Sequence, residues 1–165
     1  MKVEFDAQLQ IKNLYQFNIY QAYKGMQGML SIFIPLFVFV IVIMNWGKVT
    51  LETSLLNLGL GILFLLYVPV SLWFRSKKTL KQNEVLSNPL HYEFTEEQIC
   101  VTQGEQRVEF KWENIYRMVT VGDLLLIYTN RMNAYVIPKA QVGDGYQTLK
   151  DMAKVQLERH RFKLK

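Results

Sequence analysis

The sequence has few of the residues that form disulfide scaffolds or catalytic centres. It contains one cysteine, Cys100, in 165 residues. An intramolecular disulfide is therefore excluded, and a reducing compartment is favoured. Cys100 has no second cysteine and no nearby histidine, so we expect it to be a buried strand residue. The two histidines, His91 and His160, lie far apart in the chain without metal-ligand spacing.

The sequence also lacks motifs that carry known chemistry. It contains no G-x-S-x-G, no glycine-rich phosphate loop and no H-E-x-x-H. The one adjacent carboxylate pair, Glu96-Glu97, falls in a predicted turn, where a solvated acidic tip is expected. These absences predict a protein that is not an enzyme and that has no metal, no cofactor and no small-molecule substrate.

Charge is nearly missing from one long segment. The chain has 19 Lys and Arg and 14 Asp and Glu, yet Lys48 and Glu52 are the only charged residues within positions 26–74. The flanks carry all the others. This division excludes a single soluble globule, a disordered chain and a secreted disulfide scaffold.

Two apolar stretches in this segment are long enough to cross a membrane. At 1.5 Å per residue, residues 29–46 and 55–74 reach roughly 27 and 30 Å as helices. Extension of the first stretch back to Met26 brings it close to the full thickness. The predicted organisation is an N-terminal strand and amphipathic helix (1–25), membrane helix one (26–46), an extracytoplasmic loop (47–54), membrane helix two (55–74), a basic linker (75–89), and a β domain with a C-terminal helix (90–165).

The distribution of cations predicts the orientation of this hairpin. The short loop carries only Lys48, whereas the flanks carry Lys12, Lys24 and a basic exit after the second helix. Since Lys and Arg accumulate on the cytoplasmic side, both termini are predicted to be cytoplasmic. The four exit cations are candidates for contact with anionic lipid headgroups; the alternative is that they only fix the topology. They are Arg75, Lys77, Lys78 and Lys81.

The N-terminal flank predicts two short elements. Val3 and Phe5 alternate with charged residues, which indicates a strand. From Gln8 to Lys24 the apolar spacing becomes helical. This amphipathic helix could lie in the headgroup plane or pack on the β domain.

Residues 90–142 show strand periodicity interrupted by turns. The pattern predicts a small antiparallel meander of about five strands, closed at one end by a helix over 146–159. Residues 124–129 and 134–137 are more continuously apolar than the other strands and are expected to be central strands covered on both faces. The same pattern predicts two exposed hairpin turns, one at Gln103-Gly104-Glu105 and one around Arg131. Gln103, Gly104 and Arg131 are the candidate partner contacts.

The order of several short motifs along nearly the whole chain resembles the YcxB-like family of small bacterial membrane proteins. The matching segments are Val3-Glu4-Phe5, residues 15–20, Phe74-Arg75-Ser76-Lys77-Lys78, residues 92–99, Gln103-Gly104-Glu105, residues 112–116 and residues 134–139. The resemblance implies a membrane α+β fold: a two-helix transmembrane hairpin with a cytoplasmic, pleckstrin-homology-like β roll or barrel. It also implies that residues 3–5 add a strand to the C-terminal sheet and that the protein lies in the bacterial cytoplasmic membrane. It supplies no activity and no functional residues.

Two functions remain open at this point. The first is a protein-interaction or regulatory module tethered to the membrane, which binds membrane lipids and either another protein or itself. The alternative is an accessory subunit of a transport or envelope-stress complex. Nucleic acid is not an expected partner, because the net charge of +5 depends on the exit cations and on a basic tail. The tail cations are Arg159, Arg161, Lys163 and Lys165.

Overall fold

The computed structural model describes residues 1–164, so Lys165 of the basic tail lies outside the described residues. The chain divides into two compact units. One, the helical unit, comprises Asn18–Lys77. The other, the β unit, comprises Met1–Phe17 together with the described residues from Lys78 onward.

The chain has six helices and eight strands within the described part. In chain order they are β1 (Lys2–Ala7), α1 (Ile11–Lys24), α2 (Met26–Met44), α3 (Leu51–Gln82), α4 (Glu84–Ser87), β2 (Leu90–Thr95), β3 (Gln98–Gln103), β4 (Gln106–Lys111), β5 (Arg117–Val121), β6 (Leu124–Tyr128), β7 (Ala134–Pro138), α5 (Lys139–Val142), α6 (Gly145–Gln156) and β8 (Phe162–Lys163). The fold is therefore α+β.

The helical unit is built from long apolar helices: α2 has 19 residues and α3 has 32. By length and composition α3 is able to cross a membrane. The pair Ile11–Lys24 and Gly28–Met44, which is bent by 76°, passes the same test only when taken as one span. A Cβ on Gly61 would lie 2.8 Å from Cε1 of Phe39. The absence of a side chain at Gly61 thus lets α3 approach the Phe39 ring of α2.

The β unit contains two four-stranded sheets, with strand orders β1-β2-β3-β4 and β7-β6-β5-β8. β1 pairs antiparallel with β2, so that Val3 lies opposite Phe94 and Phe5 opposite Tyr92. The Phe5 ring stacks on the Tyr92 ring with centroids 5.4 Å apart. The expectation that the N-terminal segment adds a strand to the C-terminal sheet is confirmed.

The core lies between the inner faces of the two sheets, and α6 contributes to it. Leu149 and Ala153 of α6 are fully buried there. Trp112 follows β4 directly and begins a turn of 3-10 helix. Its indole Nε1 donates to the carbonyl oxygen of Thr95 at 2.9 Å, and this bond lets a buried Trp satisfy its N–H at the point where the strand ends.

The single meander of about five strands was too simple a prediction. The chain forms two sheets, and a short parallel strand, β8, pairs with β5. β6 is buried at every position, as expected for a central strand. β7 lies instead at the edge of its sheet. Its apolar sequence reflects burial beneath other segments rather than pairing on both sides.

The beginning of α1 packs on the outer face of the second sheet. Leu14 is buried, and the Gln16 amide donates to the carbonyl oxygen of Val121 at 3.2 Å. Leu124 and Leu126 point away from the core but are fully buried, which shows that this face is covered. Of the two alternatives for the N-terminal helix, packing on the β domain is correct for residues 11–17.

Candidate functional site

The β unit contains an apolar pocket of about 430 Å³, a volume within the range of ligand sites. Segments from four parts of the sequence line it. The first part of the chain contributes Leu9, Leu14 and Phe17, and α4 contributes Val85 and Leu86. Strands β2, β3, β4 and β7 provide the remaining walls.

Both predicted hairpin turns border this pocket. Gln103 and Gln106 flank the turn between β3 and β4, and Thr129 and Asn133 flank the turn that contains Arg131; these four residues line the pocket. We call the cavity the two-turn pocket. The structure thus brings the candidate contacts, which are separated in sequence, to one site.

The individual candidate residues have different roles at this rim. Gln103 is an anchor: its amide donates to the carbonyl oxygens of Val85 at 2.9 Å and Asn88 at 3.3 Å. Gly104 is exposed, with a φ of +57° that favours glycine. Arg131 is also exposed in its turn. Gly104 and Arg131 are therefore available for contact, whereas the Gln103 side chain holds α4 over the pocket.

A second amide network fixes the segment that carries Leu9. The backbone N–H of Gln8 donates to Oε1 of Gln141 at 2.7 Å, and Nε2 of Gln141 donates back to the Gln8 carbonyl oxygen at 3.1 Å. The Gln8 side chain donates to the carbonyl oxygen of Ser87 at 2.7 Å. These bonds join the start of the chain to α4 and α5, so this wall of the pocket is formed before any ligand binds.

Two tyrosines, Tyr92 and Tyr135, line the pocket together with the polar residues of its two turns. The rings of Tyr92 and Tyr135 meet edge to face, with centroids 6.2 Å apart. Burial raises the pKa of Tyr92, with a smaller contribution from Tyr135, and burial also raises the pKa of Tyr135. Both phenols therefore stay neutral near pH 7. Tyr135 further stacks on Phe110 at 5.7 Å, which joins the edges of β4 and β7.

The pocket carries no formal charge. Among the described residues that line it, none is Asp, Glu, Lys, Arg, His or Cys. Cys100 is buried on the outer face of its sheet, as a strand residue. No group of His, Cys, Asp and Glu suited to a metal occurs in the part of the chain that was described. What the site offers is apolar surface with neutral hydrogen-bonding groups at its rim.

The basic exit is a separate feature. Arg75, Lys77, Lys78 and Lys81 are all exposed on the last turns of α3, and none of them lines the two-turn pocket. Their candidate role in lipid contact stays a prediction.

Sequence reasoning missed the residues that close the pocket, chiefly Leu14, Phe17, Val85, Leu86 and Tyr135. One signal was available: Val85 and Leu86 are an apolar pair in an otherwise polar linker, just before Pro89. Asn83 caps this short helix by accepting from the N–H of Leu86 at 3.2 Å. An apolar pair in a capped single turn indicates a docked segment rather than a free linker.

Comparison with known proteins identifies the domain that holds most of this pocket. No curated protein and no solved structure matches the chain. The family model described as YcxB-like protein matches residues 94–153, a segment that includes β3 to β7. The resemblance noted in the sequence is thereby confirmed over residues 94–153, which match the model of the YcxB-like family.

Proposed function

We propose that this chain is a membrane-anchored interaction module whose β unit binds an extended, uncharged, apolar segment of a partner protein in the two-turn pocket. The observation that carries the proposal is the convergence of both exposed turns on one apolar cavity of about 430 Å³. Turns held by a rigid sheet commonly carry binding residues.

The chemistry of the pocket favours a protein segment over a charged ligand. A lipid phosphate or a free carboxylate would need a cation, and the described lining residues include none. Three successive residues of β7, Ala134, Tyr135 and Val136, line the pocket. The cavity thus follows the free edge of β7, where backbone groups are open to an added strand and the pocket can accept a side chain.

The membrane anchor is supported by the exposure of apolar helix surface. Within the apolar window of α3 only 6% of residues are buried, whereas a core helix of a soluble protein would be mostly buried. Large side chains on α2 are similarly exposed, with Phe33 at 59% and Phe37 at 66%. Bilayer contact would remove this surface from water.

We further propose two spans, formed by α2 and α3, in the bacterial cytoplasmic membrane with both termini cytoplasmic. The basis is the cation excess on the flanks over the single Lys48 of the loop. The β unit would then be a cytoplasmic pleckstrin-homology-like roll. A Lys48→Cys variant tests the orientation: an impermeant thiol reagent added outside intact cells should label it, and labelling only from the cytoplasm would contradict the proposal.

Site-specific photo-crosslinking tests the binding function. A photoreactive residue at Arg131 should trap a partner in intact cells, whereas the same residue at Val155, which is 83% exposed on α6, serves as the control position. A second set of variants tests whether the adduct depends on an open pocket. Ala134→Trp should fill the cavity and abolish the Arg131 adduct, while Val155→Trp should leave it intact. An adduct that survives Ala134→Trp would contradict the proposal, as would an adduct to lipid. A trapped polytopic transporter would identify the accessory-subunit form of the same function.

A further inference from the structure

The strand β4 has one free edge. It pairs with β3 alone. The two strands meet in a two-residue turn, with Gln103 opposite Gln106 and Gly104 at φ +57°, as in a type II′ hairpin. The pair that flanks such a turn exchanges both hydrogen bonds, and bonded and non-bonded positions then alternate along the ladder. The backbone groups of Arg107 and Glu109 therefore point away from β3.

The charges along this edge alternate in sign. Glu105, Arg107, Glu109 and Lys111 share the outer face, while Val108 at the centre is 51% exposed. At every second position from residue 105 to residue 111 the charge is therefore negative, positive, negative and positive, with Val108 at the centre of the run. A second copy of the strand that runs in the opposite direction therefore places an opposite charge across from each of these four residues.

We propose that β4 binds β4 of a second copy of this chain as an antiparallel pair, with the two-fold axis at Val108. In this register Arg107 faces Glu109 of the second copy, and Glu105 faces its Lys111. Each of these pairings occurs twice because the interface is isologous. The outward backbone groups at 107 and 109 also meet as hydrogen-bonded pairs.

The two registers in which the axis moves by one residue are unfavourable. An axis at Arg107 would set Arg107 against itself and Glu105 against Glu109. An axis at Glu109 would set Glu109 against itself and Arg107 against Lys111. Like charges directly opposite each other destabilise a sheet, and opposite charges stabilise it. Charges on an edge strand usually prevent pairing, but this pattern is complementary to itself when the axis lies at Val108.

The groups that would form this interface are accessible in the single copy. The Arg107 Nε lies 2.7 Å from Oε1 of Glu109, with side chains 55% and 45% exposed. No backbone hydrogen bond to residues 107 or 109 from another element occurs within residues 1–164. Gln106 and Val108 also line the two-turn pocket, so a β4 pair and a partner segment in the pocket would compete for the same surface.

Cysteine crosslinking of the full chain in its membrane tests the register. In a Cys100→Ser background, Val108→Cys places two thiols at a non-hydrogen-bonded pair with Cα atoms about 4.5 Å apart, within disulfide reach. Gln106→Cys is the matched control, because its two copies would lie about 14 Å apart along the strands. The account predicts a covalent dimer for Val108→Cys and not for Gln106→Cys. Equal crosslinking of both, or of neither, would overturn it.

Charge reversal provides the second arm. Arg107→Glu should weaken dimerisation by about tenfold or more, since two opposite-charge pairs become like-charge pairs. Adding Glu109→Arg to the same chain restores complementarity and should restore the dimer. Lys154→Glu, an exposed change on α6, controls for net charge and should have no effect. The double variant would contradict the proposal if it fails to dimerise in the Val108→Cys assay although the same two substitutions, made in a chain that keeps Cys100, leave Cys100 protected.

Discussion

The contact between Val3 in β1 and Gly145 in α6 offers a sharp test of how the two ends of the chain form one unit. Val3 is buried. A Cβ added at Gly145 would lie 2.8 Å from Cγ1 of Val3 but 4.0 Å from Cβ of Val3. The perturbation is the pair of substitutions Val3→Ala and Gly145→Ala, made singly and together.

The magnitudes follow from the geometry. Val3→Ala removes two buried methyl groups and should lower the free energy of unfolding by about 2 kcal/mol. Gly145→Ala forces a close contact that costs about 1–3 kcal/mol, offset by at most about 1 kcal/mol of helix propensity. In the Val3→Ala background the clashing Cγ1 is gone. Gly145→Ala should then be neutral or stabilising by up to about 1 kcal/mol, so its effect reverses sign.

Cys100 supplies the assay. It is the single cysteine of the chain and is buried, so a thiol reagent modifies it only when the β unit opens. The labelling rate of the full chain in mild detergent therefore reports the open population when closing is fast. A loss of 2 kcal/mol corresponds to about 30-fold faster labelling. Additive effects of the two substitutions would refute the proposed contact between β1 and α6.

Other residues of the β unit make further predictions. Trp112→Phe removes the indole bond to the Thr95 carbonyl oxygen and should destabilise the unit by about 1–2 kcal/mol, measured by the same labelling. Gly104→Ala should cost about 1 kcal/mol because φ is +57° there, seen as faster Cys100 labelling; an unchanged rate would count against this turn geometry. Lys2 bonds to Glu93 and holds the pKa of Glu93 below its ordinary value of 4.5. The lowered pKa means that this contribution to stability is present at neutral pH and is lost as pH falls through it. Lys2→Met should therefore flatten the acid limb of thermal stability measured from about pH 7 to 3; an unchanged limb would contradict the ion pair.

Much of the β unit could be predicted because local patterns dictated it. Tyr92 and Phe94 fall within the strand periodicity of residues 90–142, and both are buried in β2. The pairing of β1 with β2 was expected only through the family resemblance. Nothing in the local sequence of residues 3–5 specifies a partner nearly 90 positions away.

The prediction was wrong where burial had more than one possible cause. Continuous apolarity in β7 suggested a central strand, but Val136 and Ile137 are buried on opposite faces of an edge strand. Ile137 belongs to the core, whereas Val136 lines the two-turn pocket together with Leu14 of α1. Periodicity reports which residues avoid water and does not report which element covers them.

The two-turn pocket illustrates the same limit for function. The turns at Gly104 and Arg131 could be predicted from the sequence, because glycine, asparagine and charged residues are typical of exposed turns. The convergence of the two turns on one pocket could not be predicted from the sequence. It depends on how the two sheets meet and on the placement of Leu14 and Val85 along the wall of the pocket. A cavity made by four separate segments has no motif of its own.

Mapping of photo-adducts by mass spectrometry tests the central claim most directly. Photoreactive residues placed separately at Gln106 and Arg131, one on each turn, would be activated in intact cells and the attachment sites sequenced. Since both turns border one pocket, we expect all adducts other than those to a second copy of this chain to fall within one short, uncharged segment of the same partner protein. Adducts to unrelated proteins, or to distant parts of one protein, would contradict it.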